Sequence, residues 1–199
     1  MGSLTHIIGI VAGILAFGSY LFYIASILRG QTKPNRASWW VWAGMGIVVW
    51  LSYYYSGARE SLWVPLSEVI GPIIAAILSI KYGEGGWTPF DRKCLFGIVI
   101  VLLLWWIFNS PVIALAAGLS IDLFAALPTI KKSYLKPFEE NLTAWILVVV
   151  ANFLNLFAIS TWTFGVVLHP VYYTLITGSI LASLILGYQK RKISWFKKT

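Results

Sequence analysis

The chain has 199 residues, 59% hydrophobic and 11% charged, with a net charge of +8 and a mean hydropathy of +0.80. A water-soluble domain carries roughly 25% charged residues, so lipid is the expected solvent for most of this chain. One cysteine, Cys94, excludes an intrachain disulfide and a cysteine-built zinc site, and the two histidines, His6 and His169, lack metal-ligand spacing, so neither metal nor cofactor is expected.

Crossing the hydrocarbon layer takes about 20 predominantly apolar residues. Seven runs meet or approach that length: 5–28, 38–56, 62–81, 94–108, 111–130, 142–160 and 166–188. The first starts almost at Met1 with no basic stretch before it and reads as a retained membrane helix, with a cleaved signal as the alternative. The fourth is short, from Cys94 to Phe108, and Asn109-Ser110-Pro111 is a turn signal parting it from the fifth. The runs are continuously apolar rather than alternating, and an open sheet cannot satisfy its backbone in lipid, so helices are predicted.

The charge follows the same division. Arg29, Lys33, Arg36, Lys81, Arg92, Lys93, Lys131, Lys132, Lys136, Lys190, Arg191, Lys192, Lys197 and Lys198 fall on one side of seven spans, and only Arg59 falls on the other. The positive-inside rule makes the basic side cytoplasmic, with the N-terminus outside and the C-terminus inside a plasma membrane. The tail 190–198 then reads as an anchor at the anionic leaflet rather than a nucleic-acid site.

A repeat is visible when Lys33-Pro34 is laid on Lys136-Pro137. Ser26 then matches Thr129, Ile27 matches Ile130 and Arg29 matches Lys132, and each Lys-Pro is followed by a hydroxyl residue and Trp: Ser38 with Trp39 and Trp40, then Thr143 with Trp145. The second loop is about two residues longer. The third and seventh runs pair more loosely, through Pro65 and Pro170, Gly71 and Gly178, Tyr82 and Tyr188. Three helices, a linker helix and three more give a first bundle over 1–83, a loop and linker over 84–110 and a second bundle over 111–199. Parallel repeats of this kind place a substrate near the midplane between them.

The segment Leu127-Pro128-Thr129-Ile130-Lys131-Lys132-Ser133-Tyr134 and the 3+1+3 layout resemble the SWEET/PQ-loop (MtN3/saliva repeat) superfamily. The family's glutamine after proline is Thr129 here, and the first repeat has Ala25 where the second has Pro128. The resemblance implies alternating access with Pro128 as a hinge, and proline in a helix does remove a backbone hydrogen bond. Trp39-x-x-Trp42 and Asn152 are similar, more distantly, to the tryptophan-rich sites of PnuC vitamin-precursor carriers.

Ionisable residues inside a membrane are functional candidates by default. Asp122 stands midway along the fifth run, facing either a substrate or proton, or Ser19, its partner in the repeat. Glu68, just before Gly71-Pro72, is a candidate for an outer gate with Pro72, or else a carboxylate snorkelling to the interface. Trp50 pairs with Asn155 in the repeat, one offering a ring face and the other an amide, while Asn152 and Asn155 share one helix face. Tyr172, Tyr173 and Thr174 add hydroxyls to a cavity or to packing. The other tryptophans, Trp39, Trp40, Trp42, Trp63, Trp87, Trp105, Trp106, Trp145 and Trp162, are expected in an interfacial belt. No nucleophile elbow, zinc helix motif or phosphate loop is present, and no lysine lies in the seventh run to hold retinal, so no enzyme is expected. The expectation is a transporter of a sugar or similar small planar metabolite. The alternative is a receptor or scaffold on the same frame, with glycine and serine on several helices permitting association with a second copy.

Overall fold

The computed structural model describes residues 2–86 and 88–196. Trp87, Lys197 and Lys198 lie outside the described residues, as do the side chains of Cys94 and Lys192. Among the described residues the apolar runs form seven helices: α1 (Gly2–Leu28), α2 (Arg36–Tyr55), α3 (Trp63–Tyr82), α4 (Pro89–Phe108), α5 (Pro111–Leu135), α6 (Leu142–Phe157) and α7 (Phe164–Phe196). The stretches 4–28, 60–82, 111–135 and 164–191 are long and apolar enough to cross a membrane, and α4 and α6 contribute the shorter apolar stretches Leu95–Phe108 and Leu142–Phe157.

Local chemistry sets the ends. Asn35 accepts a hydrogen bond from the Ser38 amide to start α2, Asn141 does the same for Ala144 in α6, and Ser110 with Pro111 opens α5. Pro137 disfavours helical backbone at Lys136, which turns to φ −134°, ψ 59° and ends α5. Compared with the predicted runs, α4 begins earlier, α5 and α7 extend further and α6 stops sooner. Pro128 lies inside α5, which runs on to Leu135.

Helix α3 packs against α1 and α2, and α7 against α5 and α6, while α1 meets α6 and α2 meets α5. Helix α4 sits outside, on α5 and α2. Ala12, Ala16, Val64 and Ala151 form a small-residue core where α1, α3 and α6 approach. At Gly46 the backbones of α2 and α3 come so close that an added Cβ would lie 2.7 Å from the Glu68 carbonyl oxygen. Large apolar side chains face outward, among them Leu21 (69% exposed), Leu175 (67%) and Trp106 (81%). An exposed apolar surface of this kind needs a covering phase.

The loops after α1, α3 and α5 meet at one end, here the basic end. The Lys33 amide donates to the Glu139 carbonyl (3.1 Å), the Arg36 amide to the Glu84 carbonyl (3.0 Å), and the Glu84 amide to the Pro34 carbonyl (2.9 Å). Lys33 pairs with Glu139 and Lys136 with Glu84. The Glu84 carboxylate bonded to Lys136 raises that ammonium's pKa. Burial opposes ionisation of Glu139, but hydrogen bonding from Lys33 and the charge of Lys136 outweigh it and hold the carboxyl below its ordinary range. Arg59 stands at the opposite end, where the Ser160 hydroxyl donates to Glu60 (2.7 Å).

Gly46→Ala is expected to destabilise the protein by about 1–3 kcal/mol, because backbone cannot move aside as a side chain can. Gly18→Ala, where nothing lies within 4 Å, is expected to be neutral or to stabilise by up to about 1 kcal/mol, both read by thermal unfolding in detergent. A depressed carboxyl stabilises above its ordinary pKa of about 4.3, and that stability is lost as pH falls through the lowered value. The melting temperature should therefore drop on acidification, and drop less in Glu139→Gln.

Candidate functional site

Every helix except α4 contributes to the wall of one internal cavity. The centre of a water-sized group can move through about 60 Å³ of it. Six rings (Tyr20, Tyr23, Trp39, Trp42, Trp145 and Tyr173) and two carboxylates, Glu68 and Asp122, face it, and among the described residues no basic side chain is on the wall.

Asp122 is 2% exposed, and its oxygens accept from the hydroxyls of Tyr172 (2.7 Å) and Tyr173 (3.3 Å). Consecutive residues on a helix diverge by about 100°, so both tyrosines reach one carboxylate only because α5 lies directly on α7. Glu68 is also buried, yet among the described residues neither oxygen accepts a hydrogen bond. His169 Nε2 lies 3.2 Å from Glu68 Oε2, at ion-pair distance but out of hydrogen-bond alignment. The imidazole is sandwiched between Tyr53 (4.6 Å) and Tyr173 (4.5 Å), each 25° from parallel. Tyr53 in turn shares a hydrogen bond with Ser61 (2.7 Å) and donates to the Val166 carbonyl (3.2 Å). This stack bounds the cavity on the side away from the basic end.

Toward the basic end, the Tyr23 ring centre lies 4.8 Å from that of Trp39 and 6.2 Å from Trp145, and Trp42 stands edge-on to Trp39 at 5.1 Å. Beneath these rings Glu140 Oε2 accepts from the Tyr23 hydroxyl (3.1 Å) and from Trp145 Nε1 (2.9 Å), while Oε1 pairs with Lys132 (2.6 Å). The Ser19 and Thr177 hydroxyls are committed to the carbonyls of Ala16 (2.7 Å) and Tyr173 (2.5 Å) in their own helices. The wall therefore offers two carboxylates and ring faces, with Trp39 Nε1 a buried donor that has no hydrogen-bond partner among the described residues.

Of the residues singled out in the sequence, Asp122, Ser19, Tyr173, Glu68 and Pro72 share this wall. Ser19 does not bond Asp122, whose partners are the two tyrosines. Asn152 and Asn155 are buried on one face of α6 but off the wall: Asn152 Nδ2 donates to the Val148 carbonyl (3.0 Å), and Asn155 has no hydrogen-bond partner. Trp50 is half-buried and stacks on Tyr54, and Pro128 is also off the wall. Neither Trp50 nor Asn155, matched in the repeat by the Lys-Pro superposition, is on the wall, and the helix caps give the repeat a different register. Aligning α2 and α6 on their capping asparagines sets Trp39 against Trp145 and Val49, not Trp50, against Asn155. The loop is thus three residues longer, and a one-residue slip rotates a side chain by about 100°.

Trp39, Trp42 and Trp145, expected in a belt, line the cavity instead, whereas Trp106 and Trp162 are exposed. Lys132, expected as a loop charge, is buried. His169, Tyr53, Tyr20, Tyr23 and Glu140 went unselected. The signal for His169 was present, an ionisable side chain inside an apolar run. Glu140 carried none, because a glutamate one residue before a helix cap reads as solvated.

Among the described residues no group of three or more His, Cys, Asp or Glu side chains is placed to hold a metal ion. No family model, curated protein or solved structure matches the chain.

Tyr172→Phe takes one donor from a buried carboxylate and is expected to cost about 1–3 kcal/mol in thermal unfolding. Tyr55→Phe, at a 63% exposed position, should stay within about 0.5 kcal/mol of the parent.

Proposed function

We propose that the protein is a seven-span plasma-membrane transporter of a small solute, built from two parallel three-helix repeats and a linker helix in the manner of SWEET/PQ-loop carriers. The repeat reading is supported by the packing order. Exchanging α1 with α5, α2 with α6 and α3 with α7 leaves the helix neighbours unchanged, with only α4 outside the scheme. Matching asparagine caps at the start of α2 and α6 support it further. The gathering of basic groups at one end supports a cytoplasmic C-terminus.

The observation that carries the transport reading is the cavity between α1–α3 and α5–α7, lined by both sets. A solute held there is handed across when one triplet rocks against the other, without chemical change and with no cofactor. Glu68 has acceptor oxygens that take no hydrogen bond from a described residue and the wall has six rings, so it suits a planar solute bearing N–H donors or positive charge better than an uncharged sugar. A sugar needs donors and acceptors in number, and with the wall hydroxyls of Ser19 and Thr177 engaged in their own helices, Trp39 Nε1 is, among the described residues, the buried wall donor left without a partner.

A ligand that binds only the folded state raises its stability, by about 2.7 kcal/mol at one hundred times its Kd. Detergent-purified protein should therefore melt higher with a planar nitrogenous solute from a panel of sugars, nucleosides, vitamins and amino acids. The shift should be lost in Glu68→Gln or Trp39→Leu and kept in Trp50→Phe. No shift from any of them at millimolar concentration would overturn the carrier reading. A stabilising ligand with no flux into sealed liposomes would leave a receptor on the same frame.

A further inference from the structure

The Lys132 ammonium has three donors and meets three oxygens: the Lys33 carbonyl, the Glu139 carbonyl (3.0 Å) and Glu140 Oε1 (2.6 Å). The Lys132 side chain is 3% exposed and that of Glu140 0%, so the pair has no water to fall back on. Lys33 belongs to the α1–α2 loop, Glu139 and Glu140 to the α5–α6 loop, and Lys132 to α5. One ion pair thus ties together loops from both triplets. The other Glu140 oxygen holds the Tyr23 hydroxyl and Trp145 Nε1, and both rings line the cavity. The two oxygens of a single carboxylate therefore divide between the floor of the site and the closure at the basic end.

We infer that Glu140 is the positioning residue through which the contents of the cavity act on that closure, an inference resting on the carrier reading above. A solute ring entering beside Trp39 displaces Tyr23 from Glu140 Oε2. The buried carboxylate is left a donor short, and a buried charge does not persist under-satisfied. The missing donor is recovered only from water, and water reaches Glu140 when Lys132 releases the Lys33 carbonyl and the two loops part. Coupling is reciprocal, so closing the loops sets Tyr23 and Trp145 in the orientation that defines the empty floor.

The test places one reporter thiol on the wall, Thr177→Cys in a Cys94→Ser background, and labels it in sealed membrane vesicles with an impermeant maleimide. The reagent is applied from each face in turn, and unfolding temperature is followed in parallel. The parent should label slowly from the basic-end face. Glu140→Gln should label from that face at least about tenfold faster, and Trp145→Phe, which keeps a ring but loses the N–H, should show a smaller increase in the same direction. If Glu140→Gln alone unfolds, Lys132→Met with Glu140→Gln removes both charges together and carries the same expectation. Parent-like labelling in these variants, with only a lowered unfolding temperature, marks a structural ion pair and overturns the inference, even where the ligand panel stabilises the protein. The carrier reading stands or falls on that panel alone.

Discussion

Lys132 and Glu140 are charged groups withdrawn from water, and the cost of that withdrawal is offset only when every donor and oxygen has a partner. The consequences reach most of the molecule. To complete the Lys132 shell the α1–α2 loop must bring its Lys33 carbonyl to α5, and to complete Glu140 the Tyr23 and Trp145 rings must turn inward. The two halves of the chain are thereby locked together at the basic end, with aromatic side chains facing the space between them rather than the surrounding apolar phase. Lys33, Lys136, Glu84 and Glu139 reinforce the same meeting of loops from the surface, where screening makes each pair weak by itself.

The far side of the cavity is held differently. There the His169 ring lies between two tyrosines, and the tyrosine pair on α7 satisfies Asp122, so stacking and hydroxyl donors do what the ion pair does below. Glu68 is a buried carboxylate whose oxygens no described donor meets in alignment, with His169 Nε2 at 3.2 Å from one of them. Its position is fixed by backbone, since Gly46 lets α2 press directly on the carbonyl of residue 68.

The helices and their order were legible in the sequence because continuous apolar runs of spanning length admit one backbone solution in lipid, and because Asn109-Ser110-Pro111 parts the fourth run from the fifth. The segregation of basic residues was legible for a similar reason, since it follows from counting segments. Asp122 and Glu68 stood out as charges that an apolar run does not tolerate without cause. Trp39 and Trp145 were visible but misread, because a tryptophan near a helix end looks the same in a sequence whether it faces lipid or the bundle. The match of Trp50 with Asn155 and the register given by the caps differ by one residue of loop length, which a match centred on Lys-Pro cannot resolve and a capping hydrogen bond can.

By itself, then, the sequence determined an all-helical chain of seven apolar segments, one basic end and two charges that had to be sheltered. These follow from composition, run length and turn signals, which are properties of neighbours along the chain. Only the tertiary structure decided which faces of those helices meet, that Lys132 leaves the solvent to pair with Glu140, and that His169 stacks between Tyr53 and Tyr173. Those outcomes depend on rotation about each helix axis and on contacts between residues far apart in sequence. A step of one residue, about 100°, separates a cavity wall from the outer surface.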